Sequence, residues 1–180
     1  MGSGSGAVCS IQLNSVLTAE EQARYQDTSV IRRLLRESRT VAIVGLSADR
    51  QKASYFVGSY LKSEGYRIVP VNPRGGEILG ERVYPDLSSV PFDIDIVDVF
   101  RPSHEALDFA KQAVAVRARC LWLQLRIVDH AAAELALSAG LSVVVDRCIK
   151  MEHGRFGGGL HAAGMNTEIV SARRPRMMKA

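Results

Sequence analysis

The chain has 180 residues, 47% of them apolar and 23% charged, enough for one domain with a proper core and ordinary for a water-soluble protein. No apolar run approaches the roughly 18 residues that suggest a membrane span, and the Gly/Ser-rich start, Met1 to Gly6, lacks the basic and apolar regions of a secretory signal. The net charge of +4 resides in the last ten residues, where Arg173, Arg174, Arg176 and Lys179 stand without an acid. The remainder holds 19 basic against 19 acidic residues, so a basic face for nucleic acid is not expected.

Three cysteines, Cys9, Cys120 and Cys148, are widely spaced and form no CxxC. That argues against a disulfide framework and for a reducing, cytoplasmic location. His104, His130, His153 and His161 show no metal-ligand spacing. The expected organisation is a disordered segment 1–17, a single domain 18–155 and a flexible Gly-rich, basic tail 156–180.

Thr18 with Glu21 three residues later reads as a capping box opening a short helix, and Val30, Ile31, Leu34 and Leu35 form the stripe of a second. TVAIVG, 40–45, is a buried strand stopped by Gly45. Ala53, Phe56, Val57, Tyr60 and Leu61 mark the buried face of a helix closed by Gly65. YRIVPV, 66–71, is the second strand. The stretch from Pro73 to Pro85 reads as a loop with a small hairpin: Ile78-Leu79, a turn at Gly80-Glu81, then Val83-Tyr84.

DIDIVDVF, 93–100, is the third strand. Ser103 can cap the next helix, with Ala106, Phe109, Ala110, Ala113 and Val114 facing inward. CLWLQL, 120–125, is the fourth strand, and Trp122 reads as core. Asp129 caps a helix carrying Ala132, Leu135, Ala136 and Ala139 and stopped by Gly140. LSVVVD, 141–146, is the fifth strand. Strand–helix repetition implies a Rossmann-like, doubly wound parallel five-stranded sheet with an N-terminal helical extension. Its expected order is 3-2-1-4-5, which places a ligand outside the carboxyl ends of the strands.

The residues there suit an anion. Gly45 allows a tight turn, Leu46 follows it, and Ser47 and Ser54 supply hydroxyls. Arg50 and Lys52 add charge at the start of a helix whose amides attract phosphate. A plain connection with solvated basic residues is the competing reading. The turn is not GxGxxG, and the second strand ends in Val71, Asn72, Pro73 and Arg74 rather than in the acid that an NAD ribose needs. Asn72 can hydrogen-bond a sugar or base, Pro73 can pack on adenine and Arg74 suits a ribose phosphate, although Asn-Pro also starts ordinary turns. Phe100 can wall the base, Arg101 can reach phosphate, and Gln124 can orient a polar group. Cys148 stands where a ligand thiol can arrive, though an inert packed thiol is the simpler reading. Glu152 and His153 are adjacent on one element and do not face each other as an acid/base pair. No catalytic residue and no metal ligand is assigned.

VAIVGLSADRQKASY, GYRIVPVNP, GEILGERVYPDL, DIDIVDVFR, WLQL and DRCIKMEH occur in that order. Together, over roughly 28–155, they resemble the small stand-alone CoA-binding proteins, which are similar to the CoA-binding domain of the succinyl-CoA synthetase α subunit. The resemblance implies non-covalent binding of coenzyme A or an acyl-CoA. Its diphosphate would lie on Gly45, Ser47, Lys52 and Ser54, and its adenosine beside Asn72, Pro73, Phe100 and Arg101. Relatives carry proline at Ala53 and glycine at Arg126. The latter substitution either closes part of the pocket or adds a phosphate contact.

A carrier, sensor or partner module for CoA-metabolising proteins is the leading reading, with a homo-oligomer possible. The alternatives are an enzyme acting on the CoA thiol through Cys148 and an NAD(P)- or ADP-binding protein. His161, in GGLHAAG, is the sole Gly-flanked candidate for a phosphorylated-histidine loop and is not favoured.

Overall fold

A computed structural model describes residues 16–157. His161 and Cys9 lie outside these residues, as do most of the expected N-terminal segment and nearly all of the tail. Leu17, expected to close the disordered segment, is instead buried against the core.

The capping box is present: the Thr18 hydroxyl accepts from Glu21 N–H and the Glu21 carboxylate accepts from Thr18 N–H, opening α1 (Ala19–Tyr25). Asp27 caps α2 (Thr28–Glu37), which buries Ile31, Leu34 and Leu35. β1 (Thr40–Val44) leads to α3 (Ala53–Ser63) and β2 (Arg67–Val71). A hairpin of β3 (Glu77–Ile78) and β4 (Glu81–Arg82) follows. Its turn is Leu79-Gly80, both at positive φ, one residue earlier than Gly80-Glu81. Then come β5 (Ile96–Val99), α4 (Ala106–Ala115), β6 (Cys120–Leu123), α5 (His130–Ser138), β7 (Ser142–Val144) and α6 (Ile149–Phe156). No helix among these residues is long and apolar enough to cross a membrane.

The five long strands form one parallel sheet, as expected, but their order is β2-β1-β5-β6-β7. Counted along the chain that is 2-1-3-4-5, not 3-2-1-4-5. Pro70 explains the difference. The Pro70 carbonyl accepts from Tyr84 N–H on the side away from β1, so the N–H that proline lacks would also face that side. An interior position for β2 would leave a gap in a ladder, whereas an edge position tolerates it. The chain therefore leaves β2, crosses the other face and adds β5 beyond β1.

Successive side chains of each strand alternate between the two faces. Val41, Ile43, Ile96 and Trp122 pack under α2, α3 and α6. Ala42, Val44, Val97 and Leu121 pack under α4 and α5, with Leu87 from the β4–β5 connection. Two expectations about helices change. Phe56 is 60% exposed, because α3 turns Ser54, Val57, Gly58 and Leu61 to the sheet; small residues at 54 and 58 bring the helix close. Ser103 caps no helix: it begins a short 3-10 turn that runs into α4, and its hydroxyl accepts from Val128 N–H.

Candidate functional site

In the 2-1-3-4-5 order the crossovers diverge between β1 and β5, and a crevice opens outside their carboxyl ends. A cleft of ≈ 750 Å³ lies there. Three chain segments converge on it: the β1–α3 turn, the turn after β2, and the β5–α4 turn.

The first segment depends on Gly45. Its φ is +83°, and a Cβ there would stand 2.9 Å from Arg101 Cδ and 3.2 Å from the Phe100 carbonyl oxygen. Only glycine suits both the left-handed backbone and that approach. Beyond it the turn is self-bonded. Gly45 N–H donates to Val71 C=O, Ser47 N–H to the Ser54 hydroxyl, Asp49 N–H to the Ser47 hydroxyl, and Gln51 N–H to the Asp49 carboxylate. Those amides are occupied.

The donors left to a ligand are the first amides of α3. Lys52 occupies the N-cap and supplies no side-chain acceptor, and the first backbone bond runs from Phe56 N–H to Lys52 C=O. The N–H groups of Ala53, Ser54 and Tyr55 thus have no intrahelical acceptor. They add the positive end of the helix dipole to the cleft.

At the second segment Asn72 works internally. Its side-chain amide donates to Leu46 C=O and its oxygen accepts from Arg74 N–H, which fixes the β1 and β2 turns to each other. Both the turn role and the site position of Asn-Pro are therefore present. Arg74 is exposed, and its side chain pairs with no acid among the described residues; the same holds for Lys52. At the third segment, Arg101 is held by two 2.8 Å bonds to Glu105, which keep the guanidinium protonated and the carboxyl below its usual range. Phe100 both walls the cleft and packs on the α3 side of the core. Asp86 also lines the cleft, but its carboxylate accepts from Ser88 and Ser89, which hold its pKa down. The lining thus holds three cations, Lys52, Arg74 and Arg101, against two carboxylates, Asp86 and Glu105, and its balance is positive.

Ten of the expected residues line this space: Gly45, Ser47, Lys52, Ser54, Val71, Asn72, Pro73, Arg74, Phe100 and Arg101. Four do not. Leu46 is fully buried in the core. Arg50 turns outward, its guanidinium bonded to the Tyr55 hydroxyl at 3.3 Å. Gln124 is buried and donates to Asp98 at 2.8 Å. Cys148 stands at the N-cap of α6 on the α3 side of the sheet, where burial pushes its thiol pKa up and leaves it a poor nucleophile. Arg126 neither closes the pocket nor contacts it. Its φ of +62° is the left-handed conformation that glycine adopts without strain.

Val44, Ala53 and Asp86 also line it; Pro85, Glu105, Phe109 and Gln112 complete the lining and escaped the sequence reading. They arrive because β5 lies beside β1, a consequence of the edge position that Pro70 signals.

Residues 39–154 match the family described as the CoA binding domain. The Bacillus subtilis (strain 168) protein YneT is 34% identical over 123 residues, 68% of this chain and 91% of that protein. A solved structure titled a hypothetical protein from Pyrococcus horikoshii OT3 superposes with a TM-score of 0.71 at 33% identity, covering 73% of this chain and 92% of the other. The alpha subunit of the ADP-forming acetate–CoA ligase II of Pyrococcus furiosus is 31% identical over 77 residues, 42% of this chain but 16% of the subunit.

Proposed function

Since the chain belongs to the CoA-binding domain family, we propose that the cleft between β1 and β5 holds coenzyme A or an acyl-CoA non-covalently. The diphosphate lies against the first turn of α3 and Lys52. The adenosine lies along Asn72 and Pro73, and Arg74 takes the ribose phosphate. The protein works as a non-catalytic module: a carrier, a sensor or a partner of proteins that use CoA.

One observation carries this reading. The helix that faces the cleft is left without a side-chain cap, and two unpaired cations, Lys52 and Arg74, stand at the mouth. Charge-assisted bonds of about 1.5–3 kcal/mol each then become available to a polyanion. The second strand end carries Asn72-Pro73-Arg74 in place of the ribose-binding acid of NAD sites, which favours an adenine nucleotide bearing an extra phosphate. The stretch similar to an acetate–CoA ligase subunit supports the same ligand. The exposed position of the cleft and the raised pKa of Cys148 favour binding over thiol chemistry.

Calorimetric titration against CoA, dephospho-CoA, NADP and ADP tests the reading. CoA should bind tightest, with dephospho-CoA about tenfold weaker for want of the phosphate on Arg74. Equal affinity for the two would remove that role from Arg74, and preference for NADP would overturn the ligand. Ser47→Trp fills the mouth and should abolish binding with the melting transition retained. Undiminished affinity in that variant would move the ligand elsewhere.

A further inference from the structure

A second hollow of ≈ 420 Å³ lies at the opposite end of the sheet, where the chain enters β1 and β2. It is within the range that takes small molecules. The C-terminal half of α2, the turns before β1 and β2, and the end of α6 enclose it. A five-residue strand separates it from the cleft by roughly 15 Å.

Its charge is lopsided. Arg32, Arg36 and Arg39 line it against one acid, Glu64. Arg36 reaches Glu37 only at 3.7 Å, and Glu37 also accepts from Arg119 at 3.2 Å. Arg32 and Arg39 make no side-chain ion pair among the described residues, although Arg32 lies over the Phe156 ring at 5.5 Å. Compensation of helix C-termini accounts for Arg36, in the last turn of α2, but not for Arg32, a turn earlier, or Arg39, beyond the helix.

The lining also contains Ser38, 1% exposed, whose hydroxyl has no hydrogen-bond partner among the described residues. A buried hydroxyl without a partner is costly and calls for an oxygen or nitrogen beside it. His153 is buried nearby. Its Nδ1 meets the Tyr60 hydroxyl at 3.0 Å, which leaves Nε2 on the side of Gly157, another lining residue. Arginine forks, a hydroxyl and an imidazole nitrogen form a donor set matched to phosphoryl oxygens. The tail that follows Gly157 carries four cations, so its charge does not complement this hollow.

We propose that this hollow is a second binding site, for the phosphoryl group of a small metabolite or for free phosphate, separate from the nucleotide cleft. Arg32 and Arg39 hold the anion and Ser38 donates to it.

The test is a ¹H–¹⁵N spectrum of the full chain titrated with inorganic phosphate and, separately, with adenosine monophosphate. Amide shifts at Arg39, Gly65, Tyr66 and Gly157 should saturate. The double variant R32Q/R39Q should weaken binding about tenfold or more while leaving calorimetric affinity for CoA unchanged. Ser38→Ala should weaken it with the remaining spectrum intact. Tighter binding of the ester identifies a metabolite whose organic part packs on Phe156; equal affinity identifies free phosphate. Shifts confined to Lys52 and Ser54, absence of saturation at both sites, or undiminished affinity in R32Q/R39Q would overturn the proposal.

Discussion

Two βα turns leave the carboxyl end of the same sheet, and on the proposed reading only one of them receives a ligand. After β6 the turn is tied down at four points. Gln124 is buried on Asp98, Arg126 N–H donates to the Asp146 carboxylate, Val128 N–H to the Ser103 hydroxyl, and Asp129 caps α5 by accepting from Ala132 N–H. After β1 the chain bonds to itself as far as Lys52 and then presents α3 with a cation where a cap would stand. The contrast shows how little separates a structural connection from a binding one. On the proposed reading the decisive difference is one N-cap residue, placed at the point where the crossovers from β1 and β5 diverge.

Exchanging the ends of the two turns breaks the comparison most severely. Lys52→Asp gives α3 the acceptor it lacks and puts a carboxylate where a diphosphate should lie. CoA affinity should fall about a hundredfold or more, while the helix gains about 1 kcal/mol. Calorimetry and thermal melting check the two halves separately.

Next in size is Gly45→Ala. The left-handed backbone and the contact with the Phe100 carbonyl should cost about 2 kcal/mol or more and weaken binding with it. Gly140→Ala is the control. Its φ is +87°, yet no atom lies within 4 Å of the added Cβ, so it should cost about 1 kcal/mol and spare affinity.

The anchor of the closed turn has its own signature. Burial pushes the Asp98 carboxyl up to about 8, with the bond from Gln124 acting in the opposite direction. The folded protein therefore keeps a proton that the unfolded chain releases near pH 4. The stabilisation is complete below that value and is lost as pH rises toward 8, with a slope of at most about 1.4 kcal/mol per pH unit. Asp98→Asn retains the acceptor for Gln124 and removes the titration. Denaturant melts between pH 5 and pH 8 should flatten in the variant; parallel curves would refute this account of Asp98. The smallest effect is Asp129→Ala, which should cost about 1 kcal/mol in stability and leave CoA affinity untouched.

Much of this was legible in the residues. The strands, the Asp129 cap and the Thr18–Glu21 box are local matters of periodicity and capping, and they stand within the expected stretches, although the third strand starts at Ile96 instead of Asp93 and the fourth and fifth end two residues early. What escaped is non-local. Strand order depends on which edge Pro70 leaves unpaired, a signal present in YRIVPV but outweighed there by the commoner crossover pattern. Because order decides which turns meet, Glu105, Phe109 and Gln112 were missed with it. Gln124 and Leu46 sit beside the site in sequence but point under α3, which a strand end does not reveal. Helix α6 was hidden because its polar sequence, IKMEHGRF, buries Ile149, Glu152 and His153 instead of an apolar stripe.

The central claim, that the open first turn of α3 receives the diphosphate, is tested most directly by following backbone amides as CoA is added. The account predicts that Ala53, Ser54 and Tyr55 shift furthest and become protected from exchange, while Ala131, Ala132 and Ala133 of α5 stay in place. Movement centred on α5, or saturation with CoA that leaves the three α3 amides unmoved, would contradict it.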